Sequence, residues 1–318
     1  MQTPLIKPAL IIAGPTASGK SGLAMAVAGE FGGTIINADS MQVYKELRIL
    51  TARPSDEDEA KVPHRLYGFQ NASEACSAAR WSELAAAEIR AVWAEGRLPV
   101  LAGGTGFYIK AMTEGLSDIP AVPDAVRQEV EVMRNEMGPE AFHANLAKVD
   151  AGTAERLPAA DRQRVIRAME VFMATGRSLT DWHEGAPVPP VAEARFLSIL
   201  LDPPRETLNT ATDARFDAML AAGALEEVAA LGAQGLDTAL PAMKSLGVPE
   251  LFAHLDGDMS MDAAAEAAKQ ATRRFAKRQQ TWFRNQFEPD YRVATQYSES
   301  LCDEIFSNIR GFLLTAQI

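Results

Sequence analysis

Short unbroken apolar runs alternate with stretches of helical periodicity in the first third of the chain. Residues 9–13 (Ala-Leu-Ile-Ile-Ala) predict a buried strand, and Leu23, Val27 and Phe31 then recur at helical spacing. Residues 34–40 (Thr-Ile-Ile-Asn-Ala-Asp-Ser) predict a second strand that ends in polar residues. Residues 75–95 carry Trp81, Leu84, Ala85, Ile89, Val92 and Trp93 on one stripe, which predicts a long helix ended by Gly96. Residues 99–102 (Pro-Val-Leu-Ala) predict another buried strand, followed by a tight turn at Gly103-Gly-Thr-Gly106. Strands alternating with helices predict an α/β fold with a parallel sheet.

The pattern changes between 117 and 195. Strand signals vanish, and helical ones cover 125–137, 140–149 and 161–175, punctuated by Pro120, Pro123, Pro158, Pro187, Pro189 and Pro190. We read a helical insertion at 119–195, with 1–118 and 196–318 as the two parts of the core. Residues 196–201 (Phe-Leu-Ser-Ile-Leu-Leu) return to a strand, ended by Asp202-Pro203-Pro204. A helical stretch over 208–231 breaks near Gly223, Gly247 and Pro249 predict a loop, and 263–286 predicts a long helix. A short strand at 291–295 and a last helix to about 314 close the chain.

Composition changes this picture little. With 318 residues, 47% of them hydrophobic, the chain can bury a sizeable core. Cys76 and Cys302 lie far apart without ligand spacing, which argues against a disulfide framework and fits a reducing, cytoplasmic setting. No apolar run approaches the ~20 residues of a membrane span, so no membrane partner is expected. His64, His143, His183 and His254 show no metal-site spacing. The net charge of −11 argues against non-specific nucleic-acid binding. Its distribution argues the other way: residues 269–284 hold Lys269, Arg273, Arg274, Lys277, Arg278 and Arg284 with no acidic residue. A second basic cluster is Arg162, Arg164 and Arg167. A solvated helix face is the plainer reading of both.

The chemistry centres on Gly14, Pro15, Thr16, Ala17, Ser18, Gly19, Lys20 and Ser21, which fit the phosphate-loop pattern G-x-x-x-x-G-K-[ST] between a strand and a helix. The glycines let consecutive N–H groups curl around one anion, and the helix start adds its dipole. Lys20 supplies a cation, and Ser21 a hydroxyl suited to Mg²⁺. Asp39 and Ser40, at the carboxyl end of the next strand, fall beside this loop in an open α/β sheet. A helix N-cap is the equally good alternative for Asp39. Thr105 is the polar tip of a glycine turn that either admits a ligand closely or merely joins strand to helix. Trp282 and Phe283 either stack on bases or pack inward, and packing is the commoner use.

Several stretches occur in an order that resembles the tRNA dimethylallyltransferase (tRNA isopentenyltransferase) family. They are the phosphate loop, Asp39-Ser-Met-Gln-Val-Tyr44, Thr51-Ala-Arg-Pro54, Val100-Leu-Ala-Gly-Gly-Thr-Gly-Phe-Tyr108, residues 161–171 and residues 276–284. The resemblance implies a P-loop NTPase-like core, with a parallel sheet flanked by helices, plus a helical insertion domain. It implies transfer of a dimethylallyl group from dimethylallyl diphosphate to the exocyclic N6 amine of the adenosine beside the tRNA anticodon. Mg²⁺ would be the cofactor and the anticodon stem-loop the partner, with the chain acting as a monomer. By resemblance, residues 14–21 hold the diphosphate, Ser21 faces the metal, and Asp39 takes a proton from or orients the amine, with Thr105 beside it. Ser40, Met41, Gln42, Thr105, Arg127, Gln163, Arg164, Val165, Ile166 and Arg167 match positions that meet tRNA. The chain departs from the family at Leu50 and Val248, where glycine and tyrosine are usual. The alternatives are a small-metabolite kinase, a prenyltransferase of free adenine nucleotides, and a nucleotide-dependent binding module.

Overall fold

In the computed structural model, which describes residues 6–316, the first apolar run is strand β1 (Lys7–Ala13), buried from Ala9 onward. Helix α1 (Lys20–Phe31), strand β2 (Gly33–Asn37), helix α2 (Asp56–Lys61) and the two-residue strand β3 (His64–Arg65) follow. Helix α3 (Ala78–Ala94), strand β4 (Leu98–Gly103) and helix α4 (Gly106–Thr113) complete the first part. Five helices come next: α5 (Asp124–Met137), α6 (Pro139–Val149), α7 (Ala151–Arg156), α8 (Arg162–Thr175) and α9 (Leu179–His183). Strand β5 (Ala194–Leu201) leads into α10 (Arg205–Ala221), α11 (Ala224–Gly232), α12 (Val248–Leu255) and α13 (Met261–Gln286). Strand β6 (Tyr291–Val293) and helix α14 (Cys302–Ala316) end the described chain.

The six strands form one sheet in the order β3-β2-β4-β1-β5-β6, and every neighbouring pair is parallel. Period-two alternation lets β1, β2, β4 and β5 each feed two cores. Ile11 and Ala13 of β1 face the layer that holds Trp81, Ile89, Met112, Phe216 and Phe283. Leu10 and Ile12 face Leu23 and Val27 of α1 and Ile305, Ile309 and Phe312 of α14. Strands buried on both faces read as unbroken apolar runs, which is why β1, β4 and β5 were legible without alternation. Parallel order also sets all carboxyl ends on one edge. The loops after β2, β4, β1 and β5 therefore lie side by side, where open α/β sheets bind ligands.

The chain divides into two compact units, one holding residues up to Thr113 and from Pro190, the other Glu114–Pro189. The second is wholly helical apart from an isolated bridge between Leu116 and Val188, with a core of Val130, Phe142, Leu146, Val165 and Met169. Its buried Asp150 accepts hydrogen bonds from the Thr153 N–H (2.9 Å) and the Thr180 hydroxyl (2.6 Å), fixing α7 against α9. Residues 190–195, which the sequence pattern assigned to the insertion, belong to the sheet-bearing unit. There β5 begins at Ala194, and Arg90 of α3 holds the Pro190 carbonyl and Glu193.

One element differs in kind from its expectation. Gly247 and Pro249 predicted a loop, but Gly247 (φ 88°) caps α12 and Pro249 sits in its first turn. A first-turn residue needs no intrahelical N–H donor, so proline starts this helix rather than breaking a loop.

Candidate active site

The phosphate loop occupies the turn from β1 into α1 at the middle of the sheet edge. Its two glycines do different work. Gly19 needs its left-handed backbone (φ 88°). Gly14 has no positive φ but no room: a Cβ there would lie 2.6 Å from Ser18 Oγ and 2.8 Å from the Leu201 carbonyl. Ala17 takes a left-handed conformation (φ 63°) without being glycine, a strained residue of the kind that collects at ligand sites. Pro15 closes the loop by accepting from Ser18 N–H (3.2 Å). The Ser18 hydroxyl is fully buried and has no hydrogen-bond partner among the described residues, an orphan that an anion in the loop would satisfy. Outside the curve, Tyr297 N–H donates to the Ser18 carbonyl and Gln296 to that of Ala17, so the segment before α14 braces the loop.

Lys20 Nζ points back at the Pro15 carbonyl (3.5 Å). Burial holds its pKa down at about 8, against an opposing pull from Asp39, and the Arg215 charge lowers it further. Arg215, half-buried on α10, donates to the Thr16 hydroxyl. It is a second cation at the loop that no motif announced. Two cations share a desolvated site whose nearest acid is Asp39, so the field there is positive and suits an oxyanion. Ser21 lies exposed at the start of α1. No group of three His, Cys, Asp or Glu among the described residues could cage a metal. Mg²⁺ keeps most of its shell from water and substrate phosphate, so one loop hydroxyl is a fitting protein share.

Asp39 stands just past the end of β2, and its alternative role as a helix cap is excluded, since no helix follows it. Oδ1 accepts from Met41 N–H (3.0 Å), which fixes the carboxylate in a turn. Oδ2 makes no hydrogen bond among the described residues, and it faces Gly104 across the β4–α4 turn. The fully buried Asn37 sets this turn: it accepts from Asp39 N–H (2.8 Å) and donates to the Asp39 and Leu66 carbonyls (3.0 Å each). Trp81 Nε1 donates to the Asn37 carbonyl (2.9 Å) while stacking on Tyr108. Thr105 ties β4 to β2. Its N–H reaches the Ala38 carbonyl (3.2 Å), and its hydroxyl accepts from Ser40 N–H (2.9 Å) and donates to Ser40 Oγ (3.2 Å). Gln42 spends its amide on the Thr51 and Ala52 carbonyls (2.8 and 2.9 Å), and Met41 is half-buried against the core.

Helix α13 spans the site from behind. Gln279 accepts from Thr16 N–H (2.7 Å) and donates to the Gly104 carbonyl (2.8 Å). Gln280 donates to Asp202 and Pro203 at the end of β5 (3.0 Å each). Phe283 is buried in the core, and half-buried Trp282 packs on Gly106, so both aromatic rings pack rather than stand free for stacking. The basic run splits by face. Lys269 pairs with Asp217 (2.6 Å), and Arg273 with Asp213 (2.6 Å) and Glu266 (2.7 Å), while Arg274, Lys277, Arg278 and Arg284 are exposed. Sequence separation hid the pairings with Asp213 and Asp217, which lie on α10, while Glu266 lies one to two turns earlier on α13 itself. Gln279 was legible as the one amide on the inward stripe Thr272, Ala276, Gln279, Phe283, but the charges around it masked that pattern.

The other expected RNA-facing residues lie in the helical unit. Arg127 is exposed on α5 beside Asp124 (3.9 Å). On α8, Gln163 and Arg164 are exposed and Arg167 is half-exposed, whereas Val165 is 1% exposed and Ile166 packs beside it. Helical periodicity thus gives the RNA-like stretch an outward polar face, and Val165 belongs to the core rather than to a surface. Leu50 is buried against Gly247, with its N–H accepted by Glu227 (3.0 Å), and Val248 is fully buried.

The model of the IPP transferase family matches residues 42–286. The chain belongs to that family. Its relatives include the tRNA dimethylallyltransferase of Rhodospirillum centenum, 56% identical over 89% of this chain and 90% of that protein. The tRNA dimethylallyltransferase of Paramagnetospirillum magneticum is 53% identical over 97% of this chain and 98% of its own length. Among solved structures, the full-length tRNA isopentenylpyrophosphate transferase of Bacillus halodurans is 32% identical with a TM-score of 0.69, covering 98% of this chain and 97% of that one. A eukaryotic dimethylallyltransferase acting on tRNA shares the fold with a TM-score of 0.79 at 24% identity, over 95% of this chain and 80% of its own. Family membership decides against the kinase and binding-module alternatives. No helix among the described residues is long and apolar enough to cross a membrane.

Proposed function

We infer that the protein transfers a dimethylallyl group from dimethylallyl diphosphate to the N6 amine of the adenosine beside the tRNA anticodon. The supporting observation is one juxtaposition: a phosphate loop with two cations, Lys20 and Arg215, beside the Asp39 carboxylate with its open Oδ2. The leaving group is a diphosphate. As the carbon–oxygen bond breaks, its electron pair goes to the phosphate side, where the loop amides, Ser18, Lys20 and Arg215 meet the growing charge. Mg²⁺ held through Ser21 would neutralise further charge on the same oxygens. The amine nitrogen supplies the electron pair of the new C–N bond and must lose a proton. Asp39 Oδ2 is placed to accept it or to orient the amine, and Thr105 keeps the turn in register with Ser40. A loop adenine must leave its stack to enter such a site. The exposed cations Arg274, Lys277, Arg278 and Arg284 on α13, with Arg127, Gln163, Arg164 and Arg167, suit the RNA backbone.

Nucleoside mass spectrometry tests the reading. The protein, unmodified tRNA, dimethylallyl diphosphate and Mg²⁺ should yield N6-dimethylallyladenosine at one tRNA position. Prenylation of free adenine nucleotides with none in tRNA would redirect the reading to the free-nucleotide alternative.

A further inference from the structure

Gln279 is buried, 6% exposed, and sits on the inward stripe of a helix whose outer face is basic. Both ends of its single carboxamide are engaged. Oε1 accepts from Thr16 in the phosphate loop, and Nε2 donates to the Gly104 carbonyl in the turn that carries Thr105. Gly104 is crowded from three sides. A Cβ there would collide with Gln279 Nε2, lie 3.2 Å from the Gly14 carbonyl and 3.5 Å from Asp39 Oδ2. The phosphate loop, the end of β2 and the β4–α4 turn thus converge where Gln279 sits. The Thr16 N–H, one of the loop amides that could face an anion, is instead committed to this side chain.

Building on the prenyl-transfer reading, we propose that Gln279 is a positioning residue that sets the separation between the diphosphate loop and the Asp39–Thr105 acceptor pocket. It touches neither substrate. It acts by holding Thr16 and Gly104 at once, so the bond that breaks and the bond that forms share one geometry. An amide is required because one end must accept and the other donate. Glutamate keeps the acceptor, but when ionised it sets a second oxygen against the Gly104 carbonyl. Protonated glutamate restores the donor. Methionine keeps the length and offers neither bond.

The test uses Gln279→Met and Gln279→Glu in the full chain, with single-turnover transfer, pyrophosphate affinity, tRNA affinity and hydrogen exchange measured on each. A misplacement of reacting groups on the order of 1 Å costs about 10²-fold, so transfer by Gln279→Met should fall by about 10–100-fold, with both affinities within about 3-fold of the parent. The rate of Gln279→Glu relative to the parent should climb as pH falls, because only the protonated acid donates to the Gly104 carbonyl; Asp39 opposes ionisation there, and the Lys20 and Arg215 cations at the loop favour it. Exchange should rise in both 14–21 and 103–106. The proposal is overturned if both variants transfer at the parental rate at every pH. A loss that tracks weakened pyrophosphate binding alone, or exchange that rises in only one segment, also overturns it. The exchange result stands whatever the substrate. A parent that modifies no tRNA therefore counts against the prenyl-transfer reading and leaves the clamp to be judged by exchange.

Discussion

Asp39 carries two separable possibilities for its chemistry, because one oxygen is structural and the other open. Oδ1 holds Met41 N–H, so Asp39→Ala costs roughly 1 kcal/mol of stability, as lost side-chain-to-backbone bonds do. Loss of a positioned base costs about 10²–10⁴-fold in rate. Single-turnover transfer should therefore fall far more than the melting temperature or either affinity. Asp39→Asn keeps the acceptor for Met41 but cannot take a proton. Most of the rate surviving in the asparagine variant would show that orienting the amine is enough. Lys20 gives a pH prediction. With its pKa held at about 8, Lys20 takes up a proton when diphosphate binds above that pH. Affinity for pyrophosphate should weaken as pH rises through about 8, by up to tenfold per pH unit. Because Arg215 is one of the charges lowering that pKa, Arg215→Met should move the inflection upward while weakening binding at neutral pH. Calorimetry in two buffers of different ionisation enthalpy reads the proton uptake directly; none above pH 8 would contradict this assignment of Lys20.

At the scale of elements, α13 is divided lengthwise. Its inner face is the tie across the strand ends, and its outer face keeps four cations that no carboxylate neutralises among the described residues. Reversing Lys277 and Arg278 to glutamate should therefore weaken tRNA binding without loosening the fold. Each phosphate contact removed should flatten the salt dependence by roughly 0.7–0.9 in log–log slope. Reversing Lys269 and Arg273 should instead lower the melting temperature, because their partners are Asp217 and Asp213. Filter binding across a salt series, with thermal unfolding of the same variants, separates the two. Equal slopes for Lys277/Arg278 and parent would place the RNA elsewhere. These assignments also show what the sequence could carry. The placement of residues 14–21, Asp39 and Thr105 at strand ends was legible because each follows a short apolar run that reads as a buried strand. Arg215 was not, since it lies within the polar helix α10 and gains its meaning only when that helix packs beside Thr16. Pairing between α10 and α13 was hidden for the same reason, and the helix after Gly247 because glycine and proline mark helix starts as well as loops.

For the whole molecule, the parallel sheet makes the chemistry local. Four strands end side by side, so one edge presents residues 14–21, the Asp39 carboxylate and the Thr105 hydroxyl from segments that are distant in sequence. The net charge of −11 does not bar RNA, because Arg274, Lys277, Arg278 and Arg284 make a local group of exposed cations on α13 with no ion pair among the described residues. The account's central claim is that the phosphate loop receives a leaving diphosphate in step with alkylation of an adenine amine in tRNA. The most direct measurement is the stoichiometry of a single turnover, counting pyrophosphate released and prenylated adenosine formed with no nucleoside triphosphate present. The account predicts one of each at the same rate, with both abolished together by Lys20→Ala. Pyrophosphate released without matching prenylated adenosine, or a requirement for a nucleoside triphosphate, would contradict it.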